Sequence, residues 1–111
     1  MAAAHNAVPT QDAMQALIAQ HLRTVPDWPV KGVMFRDITP LLADRGAFQA
    51  ALEMMEGPFA GDGVTKVVGI EARGFIFAAP IAARLDAGFI PVRKPGKLPH
   101  DIHHQEYELE Y

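Results

Sequence analysis

Two short stretches concentrate the side chains that could do chemistry. They are Glu71-Ala72-Arg73-Gly74 and Arg93-Lys94-Pro95-Gly96-Lys97. Each follows an apolar run, TKVVGI (Thr65 to Ile70) before the first and FIPV (Phe89 to Val92) before the second. In open α/β sheets, ligands bind beyond the carboxyl ends of the strands, which is where both stretches would lie. Gly74 opens the next helix, whose first amides form an anion site. Arg73 adds a fork of donors suited to phosphate oxygens. The second stretch sets three cations within five residues on a chain of net charge −3. Together they describe a polyanion site. The same residues would also serve as solvated charges at loop ends, and pattern by itself leaves both open.

Other residues read less sharply. Arg36 and Asp37 follow the apolar run Val33-Met34-Phe35 and could form a surface ion pair beside a buried strand. Phe35 suits a core position, the commoner use, or a stacking platform for a base. His100, His103 and His104 fit no zinc spacing, with no cysteine or HExxH beside them, and read as a solvated loop. Glu106, Glu108 and Glu110 alternate as on one face of an extended segment. Such carboxylates do acid–base work if one is desolvated, and otherwise mark a solvated strand edge. Met54 and Met55 read as helix packing or capping.

The elements that must position these groups follow from composition and periodicity. A chain of 111 residues, 50% hydrophobic and 21% charged, supports one domain with a modest core and is too apolar for a disordered protein. The absence of cysteine excludes a disulfide framework, a thiolate metal site and a cysteine nucleophile. The acidic balance argues against a surface built for nucleic acid. No apolar run is long enough for a membrane span, and MAAAHNAVPTQD lacks the basic start of a signal peptide. Residues 1–10 are expected to be a disordered tail, and the protein cytoplasmic. Thr10 or Asp12 caps a helix in which Met14, Leu17, Ile18, His21 and Leu22 recur at helical spacing, predicted to run to about Thr24. VPDWPVKG reads as a turn-rich extended connection, and Val33 to Phe35 as a short extended run. Thr39 caps a turn with Pro40 at its first helical position. A second helix covers Ala47 to Glu56 and stops at Gly57-Pro58. The continuous run Thr65 to Ile70 predicts a strand buried on both faces. A helix from Phe75 to about Leu85 and a strand from Phe89 to Val92 complete a right-handed βαβ unit. The polar, Pro/Gly-rich remainder from Arg93 to Tyr111 reads as a loop whose end, EYELEY, alternates like the start of a strand. Two parallel strands do not make a stable doubly wound sheet, so the pattern is that of the front of a larger domain.

VPDWPVKGVMFRDITPLL, GIEARGFIFAAPIA, VRKPGKLP and EYELEY occur in that order. With this spacing, Leu22 to Tyr111 closely resembles the N-terminal part of the adenine phosphoribosyltransferase family, of the type I phosphoribosyltransferases. The resemblance implies a single partial α/β domain: a parallel sheet flanked by helices with a small N-terminal hood, cut off after the second core strand. The hood is expected over residues 25–38, the βαβ unit over 65–93 and a mobile catalytic loop over 94–111. It implies transfer of ribose 5-phosphate from PRPP (phosphoribosyl pyrophosphate) to N9 of adenine, giving AMP and pyrophosphate in purine salvage. Mg2+ would be bound mainly through PRPP, with no protein metal ligand assigned. A cytoplasmic homodimer is expected, with neither nucleic acid nor membrane as partner.

Carried over by position, Met34, Phe35 and Arg36 resemble the segment that holds adenine. Phe35 stacks near the purine there, and the Met34 and Arg36 backbone groups read its edge. Arg73 and Lys97 resemble pyrophosphate ligands, and Arg93 an arginine that reaches a neighbouring subunit's pyrophosphate. Glu110 and Tyr111 resemble the tip of the catalytic loop, where the glutamate acts as acid or base near the purine N7. Three positions depart from the family pattern: Lys31 replaces a proline before GVMF, Ala78 a glycine after GFIF, and Asp86 a glycine before Ala87-Gly88. The family's DDLLATGGT-like segment, which cradles the ribose 5-phosphate, has no counterpart in these residues. The chain alone is therefore expected to be inactive. Two other readings are a non-catalytic remnant that binds purine or phosphate or pairs with a full-length subunit, and a phosphoribosyltransferase for another purine, which FRDITPLL and LEY disfavour.

Overall fold

A computed structural model describes residues 10–98. The chain divides into two compact units, Met1–Met55 and Glu56–Tyr111.

In the first unit, α1 spans Gln11–Gln20, with the Thr10 hydroxyl accepting from the Ala13 amide at 3.0 Å as its N-cap. The helix is shorter than its periodicity predicts. His21 is its C-cap, and Arg23–Pro26 forms strand β1, paired antiparallel with β2, Met34–Asp37. The β-branched Thr24 and Val25 suit a strand, and their partners Arg36 and Phe35 lie beyond the reach of a local pattern. The connection that joins them is a turn held by side chain as well as backbone. Asp27 has φ +57° and its Oδ1 accepts from the Gly32 amide at 2.8 Å. Gly32 itself has φ +90°, a conformation open to glycine without a Cβ penalty.

A short helix α2, Thr39–Ala43, follows. Thr39 is not its side-chain cap. The Asp37 carboxylate accepts from both the Thr39 amide (2.9 Å) and the Thr39 hydroxyl (2.8 Å), and Arg23 lies 3.4 Å from its other oxygen. These groups, the Thr39 amide first, hold the Asp37 carboxyl below its usual range. The expected Arg36–Asp37 ion pair is thus replaced by Arg23–Asp37, because adjacent strand residues point to opposite faces. Helix α3, Arg45–Glu56, starts two residues earlier than its apolar spacing indicates. Asp44 explains the difference: its Oδ2 accepts from the Ala47 amide at 2.8 Å and its carbonyl from the Phe48 amide at 2.9 Å, the two bonds of an N-cap. Among the described residues of this unit, Leu41, Ala47, Ala50, Ala51 and Leu52 are the buried apolar ones.

The second unit is the βαβ element. Strand β3, Lys66–Ile70, and strand β4, Gly88–Val92, pair in parallel with Lys66 opposite Gly88 and Ile70 opposite Val92. Between them α4 runs over Arg73–Arg84, beginning two residues before the predicted Phe75. Its end is closed by Asp86 at φ +57°. The Asp86 amide bonds the Ala83 carbonyl and the Ala87 amide the Ala82 carbonyl, a Schellman arrangement in which Asp occupies the left-handed position that glycine usually takes. Helix and sheet meet at Gly69: a Cβ there would lie 2.7 Å from Ala78 Cβ and 2.8 Å from the Phe89 ring. Ala78 therefore packs against a bare backbone. The Phe75 and Phe89 rings meet edge to face nearby, centroids 5.6 Å apart.

Burial on both strand faces is not observed. Val67, Gly69, Phe89 and Pro91 are shielded, while Val68, Ile70, Ile90 and Val92 alternate with them and are exposed. Among the described residues, α4 covers one side of a two-stranded sheet. The hairpin sheet and the parallel sheet are separate.

Candidate functional site

The parallel register decides what stands beside what at the carboxyl ends of β3 and β4. With Ile70 opposite Val92, the next residues, Glu71 and Arg93, are brought side by side, and the Glu71 amide continues the ladder to the Val92 carbonyl at 2.9 Å. The Glu71 carboxylate then gathers three donors. Its Oε1 accepts from Arg93 Nε at 3.0 Å and from the Lys94 amide at 3.3 Å, and its Oε2 from Lys97 Nζ at 2.8 Å. The Gly96 φ of +84° turns the loop back so that Lys97 reaches the carboxylate. The Glu71 side chain is only 8% exposed, whereas those of Arg93 and Lys97 are 37% and 47% exposed. Lys97 chiefly, with Arg93 and the Lys94 amide, holds the Glu71 carboxyl down at about 2 against the opposing effect of burial.

The two candidate anion loops are thus one structure. Two residues past Glu71, Arg73 is the first residue of α4, with Gly74 next to it. Helix start, Arg73, Arg93 and Lys97 all lie at one end of the parallel pair. Arg93 and Lys97 each keep donors beyond the one given to Glu71, since a guanidinium has five and an ammonium three. Sequence reasoning did not single out Glu71 as the group that joins the loops. The signal for it was the βαβ register, which sets an acid after one strand beside a base after the next.

Met34, Phe35 and Arg36 lie together on β2 in the other unit. They alternate, with Met34 and Arg36 exposed and Phe35 half-buried between them. The Arg36 guanidinium donates across the hairpin to the Thr24 hydroxyl at 2.6 Å. Phe35 meets Trp28 with ring centroids 4.5 Å apart at 66°, a contact that reading the hairpin as an extended connection missed. Glu110, Tyr111 and His100, His103 and His104 lie outside the described residues, as do most of the expected tail (1–10) and of the expected catalytic loop (94–111). Among the described residues, no three His, Asp or Glu side chains come together to hold a metal ion, and no helix is long and apolar enough to cross a membrane.

No protein-family model matches the chain. Individual relatives do. The chain is 55% identical over 97 residues to the adenine phosphoribosyltransferase of Colwellia psychrerythraea, covering 87% of this chain and 54% of that protein. The crystal structure of adenine phosphoribosyltransferase from Rhodothermus marinus superimposes with a TM-score of 0.79 at 48% identity, over 91% of this chain and 57% of that one. The Giardia lamblia enzyme, complexed with 9-deazaadenine, gives 0.80 at 36% identity, over 94% and 55%. The chain spans about half the length of the curated relatives it matches. Over most of its own length and about half of theirs, the chain is related in sequence and fold to the adenine phosphoribosyltransferases.

Proposed function

We propose that these residues form the base-binding and diphosphate-binding part of an adenine phosphoribosyltransferase, which makes AMP and pyrophosphate from adenine and PRPP. The observation that carries this reading is the cation cluster. Arg93 and Lys97 are gathered at the end of two parallel strands where α4 begins with Arg73, in a chain 55% identical to such an enzyme. In glycosyl transfer from PRPP, the bond between C1′ and the diphosphate oxygen breaks as positive charge grows on the ribose and negative charge on the leaving group. Donors fixed where that charge develops lower the barrier most. Arg73 and Lys97 fill this role, and Arg93 reaches the diphosphate of the neighbouring subunit. Phe35 supplies a face for adenine, and the backbone groups of Met34 and Arg36 read its edge. Glu110 acts as acid or base at the purine N7, with Tyr111 beside it, in a loop (94–111) that closes over the reaction. Residues 25–38 form the hood. The cluster suits phosphate oxygens rather than a bare cation, so Mg2+ would be held through PRPP. Bound there, the ion supplies further neutralisation of the leaving charge. A cytoplasmic homodimer completes the proposal.

An AMP-formation assay with adenine, PRPP and magnesium, on a folded protein in which these residues are followed by a segment that holds the ribose 5-phosphate, tests this reading. AMP is the expected product, and its absence would sink the proposal.

A further inference from the structure

Glu71 lies among groups meant for an anion, yet it is itself an anion. A carboxylate beside a diphosphate site weakens anion binding by simple repulsion. Its presence therefore calls for a compensating role, and the geometry supplies one. Glu71 takes Nε of Arg93, the outer edge of whose guanidinium is left for a ligand, and takes one of the three donors of the Lys97 ammonium. Its third bond goes to the Lys94 amide, so backbone as well as side chains of the loop after β4 is tied to the turn before α4. The Glu71 side chain is largely covered while those of the cations it holds remain accessible.

We propose that Glu71 is a positioning residue for the leaving group: it fixes Arg93 and Lys97 in register beside the start of α4, so that their remaining donors are ordered before the diphosphate arrives, those of Lys97 for the diphosphate of its own subunit and those of Arg93 for that of the neighbouring one. The proposal rests on the diphosphate reading given above. Ordering two long side chains in advance removes an entropic cost that the ligand would otherwise bear. Pyrophosphate then binds without displacing Glu71.

Calorimetric titration of the full 111-residue chain with pyrophosphate, in magnesium-free buffer and well below each protein's melting temperature, tests this with two variants. Glu71→Gln removes the charge. Glu71→Asp keeps the charge and withdraws it by one methylene. Repulsion alone predicts tighter binding for the first and no change for the second. Positioning predicts weaker binding for both, by about ten-fold, and a wild-type Lys94 amide resonance that keeps its hydrogen-bonded shift at saturation. Should Glu71→Gln fail to fold, Glu71→Asp and the Lys94 resonance decide the matter. A variant that binds as well as wild type or better, or a Lys94 amide released by pyrophosphate, overturns the role of Glu71 and leaves the diphosphate site standing. A wild-type chain that does not bind pyrophosphate overturns the diphosphate reading and the positioning role with it.

Discussion

At the scale of single residues, the account turns on carboxylates that work as structural anchors. Glu71 is ionised in the folded chain down to about pH 2, whereas its ordinary value is 4.5. A carboxyl whose folded value is depressed contributes stability above its unfolded value and loses it as pH falls towards the folded one. The melting temperature should therefore drop as pH is lowered from 4.5 to 2, and Glu71→Gln should flatten that part of the profile. Asp37, held by Thr39 and Arg23, adds a loss of the same sign below 3.8, which the Glu71 variant retains. Thermal melts at successive pH values check this. A wild-type profile that stays flat below pH 4.5 would contradict the Glu71 contacts.

At the scale of elements, the tightest constraint is Gly69 in β3. Its absent Cβ lets α4 approach at Ala78 and lets Phe89 lie across the strand. Gly69→Ala should destabilise the second unit by about 1–3 kcal/mol, the usual cost of overpacking, read as a lower denaturation midpoint. A midpoint equal to wild type would show that helix and strand can part freely. The same element was the most legible in the sequence. A β-branched run, a loop, an apolar helix and a second run permit little else, and each predicted boundary falls within two residues of the observed one. The hairpin was less legible. Pairing of Val25 with Phe35 is set by contacts eight residues apart or more, from Pro26–Met34 to Arg23–Asp37, and the prolines at 26 and 29 signal turns more strongly than Thr24 and Val25 signal a strand. Caps account for the remaining differences. Asp44 extends α3 and His21 ends α1 for reasons of hydrogen bonding that apolar spacing does not register. Of the candidate site, the cations were visible as residue types. The acid that joins them became visible only with the strand register.

At the scale of the molecule, two units each carry one share of the proposed chemistry. The first offers an aromatic residue on a hairpin, and the second a cation cluster at the end of a parallel sheet. The purine share can be tested directly, because Trp28 is the single tryptophan of the sequence and its ring touches Phe35. The measurement that bears most directly on the central claim is a titration of the Trp28 fluorescence of the 111-residue chain with adenine, guanine and hypoxanthine. The account predicts a saturable change with adenine, at least ten-fold weaker with the other two purines. No saturable change with adenine, or equal responses to all three purines, would contradict it.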